Sequence, residues 1–150
     1  MTDDETTAKR ILIIDDNLRL VKALTRCLQS QGFETSTAAT CDQARRALRA
    51  TSYDMIVMDL NLPDCDGLDL LEQIGLLGSR PPVLLTTAEE LVHWQERARD
   101  LGVEAYLVKP FPLKAFMSIV RCLLVGHCCF PRCSKGYKAH GGPEGCPLNL

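Results

Sequence analysis

The stretch that decides the fold is residues 11–17, Ile11-Leu12-Ile13-Ile14-Asp15-Asp16-Asn17. Its four consecutive aliphatic residues are too few for a helix and too continuous for a strand with one wet face. They read as a strand buried on both sides, as in parallel sheets covered by helices. The run stops at two carboxylates, and Asn17 is a good helix N-cap. The unit is a buried strand that ends in acid and turns directly into a helix.

Working outward, the unit repeats. Leu18, Val21, Leu24 and Leu28 recur at helical spacing and end at Gly32, a residue that tolerates the left-handed conformation closing a helix. Glu34 to Ala38 is a weaker strand, expected nearer an edge. Thr40 and Gln43 fit a capping box opening a second helix with Ala44, Ala47 and Leu48 inward. Met55 to Met58, Val83 to Leu85 and Ala105 to Val108 are further buried strands. Leu70, Leu71, Ile74 and Leu77 predict a third helix stopping at Gly78, and Leu91, Trp94, Ala98 and Leu101 a fourth stopped by Gly102. Pro112 suits the first turn of a fifth, with Phe116, Val120 and Leu123 inward. Five strand-then-helix units with short connections require right-handed crossovers, hence a doubly wound α/β domain with a parallel sheet.

Bulk properties agree. A chain of 150 residues supports one core, and 46% apolar with 24% charged residues is a globular balance. No run approaches the ~18 apolar residues that span a bilayer, and the acidic start MTDDETTAKR is unlike a signal peptide, so a cytoplasmic protein without membrane contact is expected. A net charge of −2 argues against direct DNA binding, which needs clustered Lys and Arg.

In doubly wound sheets, ligands bind beyond the carboxyl ends of the strands. Those ends carry Asp15-Asp16, Asp59, Thr86-Thr87 and Lys109-Pro110. Adjacent strand residues point to opposite faces, so Asp15 and Asp16 share the crevice only if the chain is already turning. Three carboxylates there repel and raise one another's pKa unless a hard cation with oxygen ligands joins them. Mg²⁺ suits them because it takes one or two carboxylates and leaves positions for phosphate oxygens. A carboxylate left partly free is a nucleophile able to form an acyl phosphate, with Lys109 and a threonine hydroxyl to receive the phosphoryl oxygens.

DD at 15 and 16, MDLNLPDCDG at 58–67, TTA at 86–88 and KPF at 109–111 together resemble the receiver domains of two-component response regulators, the CheY-like family, over about residues 9 to 125. The resemblance implies the strand order 2-1-3-4-5. It implies that Asp59 is the phosphoacceptor, and that Asp15, Asp16, Asp59 and the backbone carbonyl of Asn61 hold Mg²⁺. Thr87 would be the switch hydroxyl with Tyr106 behind it, and Lys109 would bind the phosphate across a cis bond to Pro110. It further implies slow autodephosphorylation rather than enzymatic turnover, a sensor histidine kinase or histidine phosphotransfer protein as donor, and an output partner on the face formed by the fourth helix, fifth strand and fifth helix. Pro112 lies where a polar cap is more usual in that family.

Each residue also has an ordinary reading. Asp15, Asp16 and Asp59 could cap turns, Lys109 could be a surface lysine before a proline, and Trp94, in phase with Leu91 and Leu101, is expected in the core. His93 reads as a solvated helix residue, and Cys27, Cys41 and Cys65 as small apolar or loop residues. Residues 1–8 read as a flexible start. After Val125 the chain loses helical periodicity and gains Gly, Pro and Cys, so residues 126–150 read as a tail on a stand-alone receiver. There, Cys128, Cys129, Cys133 and Cys146 offer ligands for Zn²⁺ or an iron–sulfur cluster, with His127 and His140 as further zinc ligands. The alternatives are a redox-active thiol site or a tail with no bound ion.

Two rival functions use the same fold. A flavin-phosphate site would be repelled by Asp15-Asp16-Asn17, and an aspartate-nucleophile phosphohydrolase usually wants a second acid where this chain has Asn61. A third class is a sensing module in which the tail binds metal and the acidic crevice is idle.

Overall fold

A computed structural model describes residues 8–76, 80–88 and 93–125. Five strands alternate with five helices: β1 (Arg10–Ile14), α1 (Leu18–Ser30), β2 (Glu34–Ala38), α2 (Cys41–Ala50), β3 (Met55–Asp59), α3 (Gly67–Gly75), β4 (Val83–Thr87), α4 (His93–Asp100), β5 (Ala105–Val108) and α5 (Leu113–Val125). All strand pairs are parallel, and the order is β2-β1-β3-β4-β5.

Alternation along the strands divides the core in two. Ile11, Ile13, Met55, Val57, Leu84, Ala105 and Leu107 face α1 and α5, packing on Leu24, Leu28, Phe116 and Val120. Leu12, Ile14, Ile56, Met58, Val83 and Leu85 face α2, α3 and α4, packing on Ala44, Leu70, Leu71, Trp94 and Ala98. Burying both faces of one sheet demands the unbroken aliphatic runs seen in β1 and β3. The edge strand β2, Glu-Thr-Ser-Thr-Ala, buries only Ala38. β5, expected to be buried on both faces, is the opposite edge strand, and only Ala105 and Leu107 are fully buried while Tyr106 and Val108 are half-buried.

The helix boundaries follow from local chemistry. The Asn17 side chain accepts from Leu20 N–H at 3.2 Å, and Thr40 Oγ1 from Gln43 N–H at 3.1 Å. Gln43 reaches back one residue further than a regular capping box, its Oε1 accepting from Ala39 N–H. Gly32, at φ 89°, closes α1: Phe33 N–H donates to Leu28 O and Gly32 N–H to Gln29 O, a paired bridge that needs a left-handed residue at its centre. Gly102, at φ 79°, does the same after α4.

Several expectations are corrected. Leu18 is 70% exposed, because α1 begins there at the rim and its inward face starts at Val21. β3 and β4 extend further than their aliphatic runs, taking in Asp59, Thr86 and Thr87, since the Asp59–Thr86 pairing continues the ladder. α3 ends at Gly75, and α5 begins after Pro112, whose carbonyl accepts from Phe116 N–H. Cys41 and Cys65 are not simple apolar or loop residues: they form a disulfide, with Cα atoms 6.1 Å apart. The physical reason is Asp64, whose carboxylate accepts from Cys41 N–H at 2.8 Å and Asp42 N–H at 3.1 Å, drawing the loop after β3 onto the start of α2. Trp94 is in the core as expected, 4% exposed. Leu77, Gly78, Leu91, the His93 side chain and all tail residues, among them Cys128, Cys129, Cys133 and Cys146, lie outside the described residues. No helix among the described residues is long and apolar enough to cross a membrane.

Candidate functional site

The carboxyl ends of β1, β3, β4 and β5 open beside the point where the strand order reverses, between β1 and β3. β1 stops at Ile14, and the chain turns at once: Asn17 N–H donates to Asp15 Oδ1 at 2.8 Å. This turn resolves the facing problem of the acid pair. Asp15 is buried, Asp16 is exposed, and carboxylate oxygens of Asp15, Asp16 and Asp59 lie within 4.8 Å of one another.

Lys109 joins two of them. Its Nζ lies 2.9 Å from Asp15 Oδ2 and 3.3 Å from Asp59 Oδ2. The lysine is delivered from β5 by a backbone bond from Lys109 N–H to Thr87 O, followed by a cis bond to Pro110. Burial raises the Asp59 pKa above the ordinary carboxylate value, and repulsion from Asp15 adds to the effect; Lys109 and the Asn61 N–H, 3.2 Å from Asp59 Oδ1, oppose it. Burial pulls the Lys109 ammonium toward deprotonation, but Asp15 and then Asp59 outweigh it, and its pKa ends above the usual lysine value. One ammonium thus serves two buried carboxylates with a third acid at the rim.

The loop after Asp59 is held tightly. Leu60 N–H donates to Thr86 O, and Gly67 N–H to Leu60 O at 2.8 Å. Asn61 and Asp66 form an isolated bridge. A Cβ built on Gly67 would lie 2.6 Å from the Asp59 carbonyl oxygen, so only glycine allows α3 to start this close to the acid.

Thr86 and Thr87 are both buried. Thr86 pairs with Asp59 across the ladder, and paired residues of parallel strands share a face, so the hydroxyl on the Asp59 side of the sheet is Thr86. Its Oγ1 is buried without a hydrogen-bond partner in this structure. The sequence places both threonines at the strand end and the family resemblance favours Thr87; which of them shares the Asp59 side follows from the β3–β4 register, which one strand alone does not reveal. Thr87 occupies the opposite face at the strand terminus. Leu85 pairs with Tyr106, so Thr87 and Tyr106 lie on one side of the sheet. Tyr106 is half-buried, its hydroxyl accepts from Gln95 Nε2 at 3.2 Å, and its ring meets Trp94 edge-on with centroids 5.0 Å apart. Burial raises the Tyr106 pKa.

An all-oxygen, carboxylate-rich donor set with an adjacent ammonium fits a hard divalent cation of the Mg²⁺ type. Cys41, Asp64 and Cys65 also lie close enough to share an ion, but the disulfide occupies both sulfurs.

Comparison with known proteins agrees with this arrangement. The chain is 36% identical over 118 residues to the transcriptional regulatory protein BasR of Escherichia coli, covering 79% of this chain and 53% of that protein. It is 32% identical over 122 residues to the transcriptional regulatory protein PrrA of Mycobacterium tuberculosis, covering 81% and 52%. The chain thus spans about half the length of these relatives. Among solved structures, the non-phosphorylated HemR receiver domain of Leptospira biflexa superposes with a TM-score of 0.73 at 31% identity, covering 77% of this chain and 94% of that one. The response regulator TrrA of Thermotoga maritima, solved in complex with Mg²⁺ and BeF, gives 0.70 at 27% identity, covering 77% and 99%. The response regulator receiver domain family matches residues 11–121, and with a charged pocket at the reversal point of a 2-1-3-4-5 sheet, this chain belongs to that family and is a two-component signalling domain.

Proposed function

We propose that Asp59 is the phosphoacceptor of this receiver, and that Mg²⁺ is held by Asp15, Asp16, Asp59 and the Asn61 backbone carbonyl. The observation that carries the reading is the triangle of Lys109 with Asp15 and Asp59 at the strand ends. Family members are phosphorylated on aspartate by histidine kinases or phosphotransfer proteins. Bound Mg²⁺ supplies positive charge for the acid cluster and for phosphoryl oxygens.

Asp59 Oδ attacks the phosphorus of a phosphohistidine in line, the imidazole leaves, and an acyl phosphate forms on the aspartate. Lys109 then exchanges its contact with Asp59 for a phosphoryl oxygen while keeping Asp15, so its charge stays in place through the transfer. Thr87, the last residue of β4, donates its hydroxyl over the open end of the sheet to another phosphoryl oxygen, and Tyr106, on the same side of the sheet as Thr87, follows by packing inward. That movement alters the surface of α4, β5 and α5, where an output partner distinguishes the two states. The receiver hydrolyses its own acyl phosphate slowly and has no other catalytic role.

The working unit is residues 9–125, with 126–150 as a tail, acting in the cytoplasm. The net charge of −2 supports a receiver that does not itself contact DNA. Incubation with acetyl phosphate and Mg²⁺ tests the reading by intact mass: one hydroxylamine-labile phosphoryl group is expected on the wild type and none on Asp59→Asn. Equal labelling of the variant would remove Asp59 from the role.

A further inference from the structure

The Cys41–Cys65 bond joins two elements that matter to the pocket. Cys65 lies in the loop that runs from Asp59 to α3, and Cys41 is the first residue of α2, behind the Thr40 cap. The bond spans a sequence separation of 24 and so closes a loop of chain that contains β3 and Asp59. Two residues beyond Cys65, Gly67 N–H donates to Leu60 O at 2.8 Å and leaves no room for a Cβ beside the Asp59 carbonyl, so displacement of Cys65 is transmitted to the backbone next to the acid.

The two sulfurs differ in the way a reversible bond requires. Cys41 is fully buried at the first turn of α2, out of reach of solution reagents. Cys65 is half-exposed and is the sulfur that a solution thiol or disulfide reaches first. Asp64 holds its neighbour Cys65 near α2 through hydrogen bonds to Cys41 and Asp42 that need no disulfide, so the reduced pair stays close enough to close again.

We propose that Cys41 and Cys65 form a reversible thiol–disulfide site that tightens the loop after Asp59 and thereby strengthens Mg²⁺ binding and phosphoryl acceptance; the coupling rests on the Asp59 reading above. In closure, the Cys65 thiolate attacks a low-molecular-weight disulfide such as oxidised glutathione and releases one glutathione thiol. The Cys41 thiolate then attacks the Cys65 sulfur of the mixed disulfide and releases the second. Two protein thiols become one disulfide, one external disulfide becomes two thiols, and the two protons go to the departing thiolates. Reduction runs the same exchange backward with Cys41 as leaving group. The oxidised loop has fewer conformations to lose on binding, which is why the disulfide form binds better.

The full-length protein is equilibrated in reduced and in oxidised glutathione, alkylated, and mapped by peptide mass. The expected result is a Cys41–Cys65 bond in the oxidised sample that disappears in the reduced one, with slower amide exchange across residues 60–67 when it is present. Mg²⁺ affinity by calorimetry and the rate of labelling by acetyl phosphate should each rise about fivefold on oxidation, the lower range of coupling between linked sites. Cys65→Ser should hold both at the reduced values, and Cys41→Ala, which keeps a small apolar group in the buried position, should agree with it.

Full alkylation of both cysteines in oxidised glutathione, or their capture by cysteines of the tail, would overturn the proposal. A mapped bond with unchanged loop exchange, Mg²⁺ affinity and labelling would overturn the coupling. A mapped bond with slowed exchange and tighter Mg²⁺ binding, but no labelling in either state, would uphold the covalent tie while striking the Asp59 reading instead.

Discussion

Lys109 Nζ stands 2.9 Å from Asp15 Oδ2, an ion pair whose carboxylate is only 3% exposed and whose residues are separated by nearly the whole sheet in sequence. Replacing Lys109 with Met would leave two buried carboxylates uncompensated. Removing one partner of a fully buried pair costs about 3–5 kcal/mol, and the partial exposure of Lys109 places the expected loss near ~2 kcal/mol. Chemical denaturation without divalent ions measures it, and saturating Mg²⁺ should recover most of it.

Asp59→Asn should act in the opposite direction. Burial and Asp15 both disfavour the charged form of Asp59, so removing the charge should stabilise the Mg²⁺-free protein by on the order of 1 kcal/mol. The gain should vanish in Mg²⁺, which the wild type binds better.

The same carboxylate predicts a pH dependence. A raised folded pKa means that the folded state holds its proton longer than the unfolded state. The associated stability is therefore full below the ordinary value of 3.8 and is lost as pH rises through the folded pKa of Asp59. Lys109, also raised, contributes stability that is present below 10.5 and lost as pH climbs through its folded pKa. Urea midpoints across pH, compared between wild type and Asp59→Asn, should show a loss of stability with rising pH above 3.8 in the wild type that the variant lacks.

Gly67→Ala should damage both stability and the site. The new methyl meets the Asp59 carbonyl oxygen at 2.6 Å and Leu60 backbone atoms at 3.1 and 3.2 Å, none of which is a flexible side-chain end. A loss of about 1–3 kcal/mol is expected, with weaker beryllofluoride binding because the backbone of Asp59 must shift.

Thr86→Val replaces a buried hydroxyl that has no partner with a methyl of similar shape. It should leave stability unchanged or raise it by about 1 kcal/mol. Thr87→Val, by contrast, is expected to keep acetyl phosphate labelling while reducing the response of the α4–β5–α5 surface, read by the change in Trp94 fluorescence on phosphorylation.

Much of this protein was legible in its residues because a sheet covered on both faces has a plain signature. ILII, MIVM and VLL are buried on both faces as their unbroken aliphatic runs imply, whereas AYLV, expected to be the same, forms the edge strand β5 and alternates buried with half-buried residues. Gly32 and Gly102 mark helix ends that their positive φ angles require. The pocket was legible for the same reason: acids following such runs must emerge at one edge of the sheet. What escaped notice depended on distances between strands or loops. Which of Thr86 and Thr87 stands on the Asp59 side follows from the β3–β4 register, and Cys41 meets Cys65 where Asp64 ties one loop to a distant helix start. Neither relation has a local pattern. Leu18 failed differently, since its helical phase was right but it sits before the helix reaches the core.

The margin of the sheet at β2 has a consequence for solubility. Thr35, Ser36 and Thr37 carry hydroxyls rather than aliphatic surface, Gln29 Nε2 donates to Thr35 Oγ1, and Arg10 pairs with Glu34 at 3.0 Å where the strand begins. A hydrated, charged border offers little reward to a second molecule adding its own strand there. Fibril growth by strand addition at this border is therefore disfavoured, and the hydroxyl-rich composition that made β2 the faintest strand in the sequence is what disfavours it.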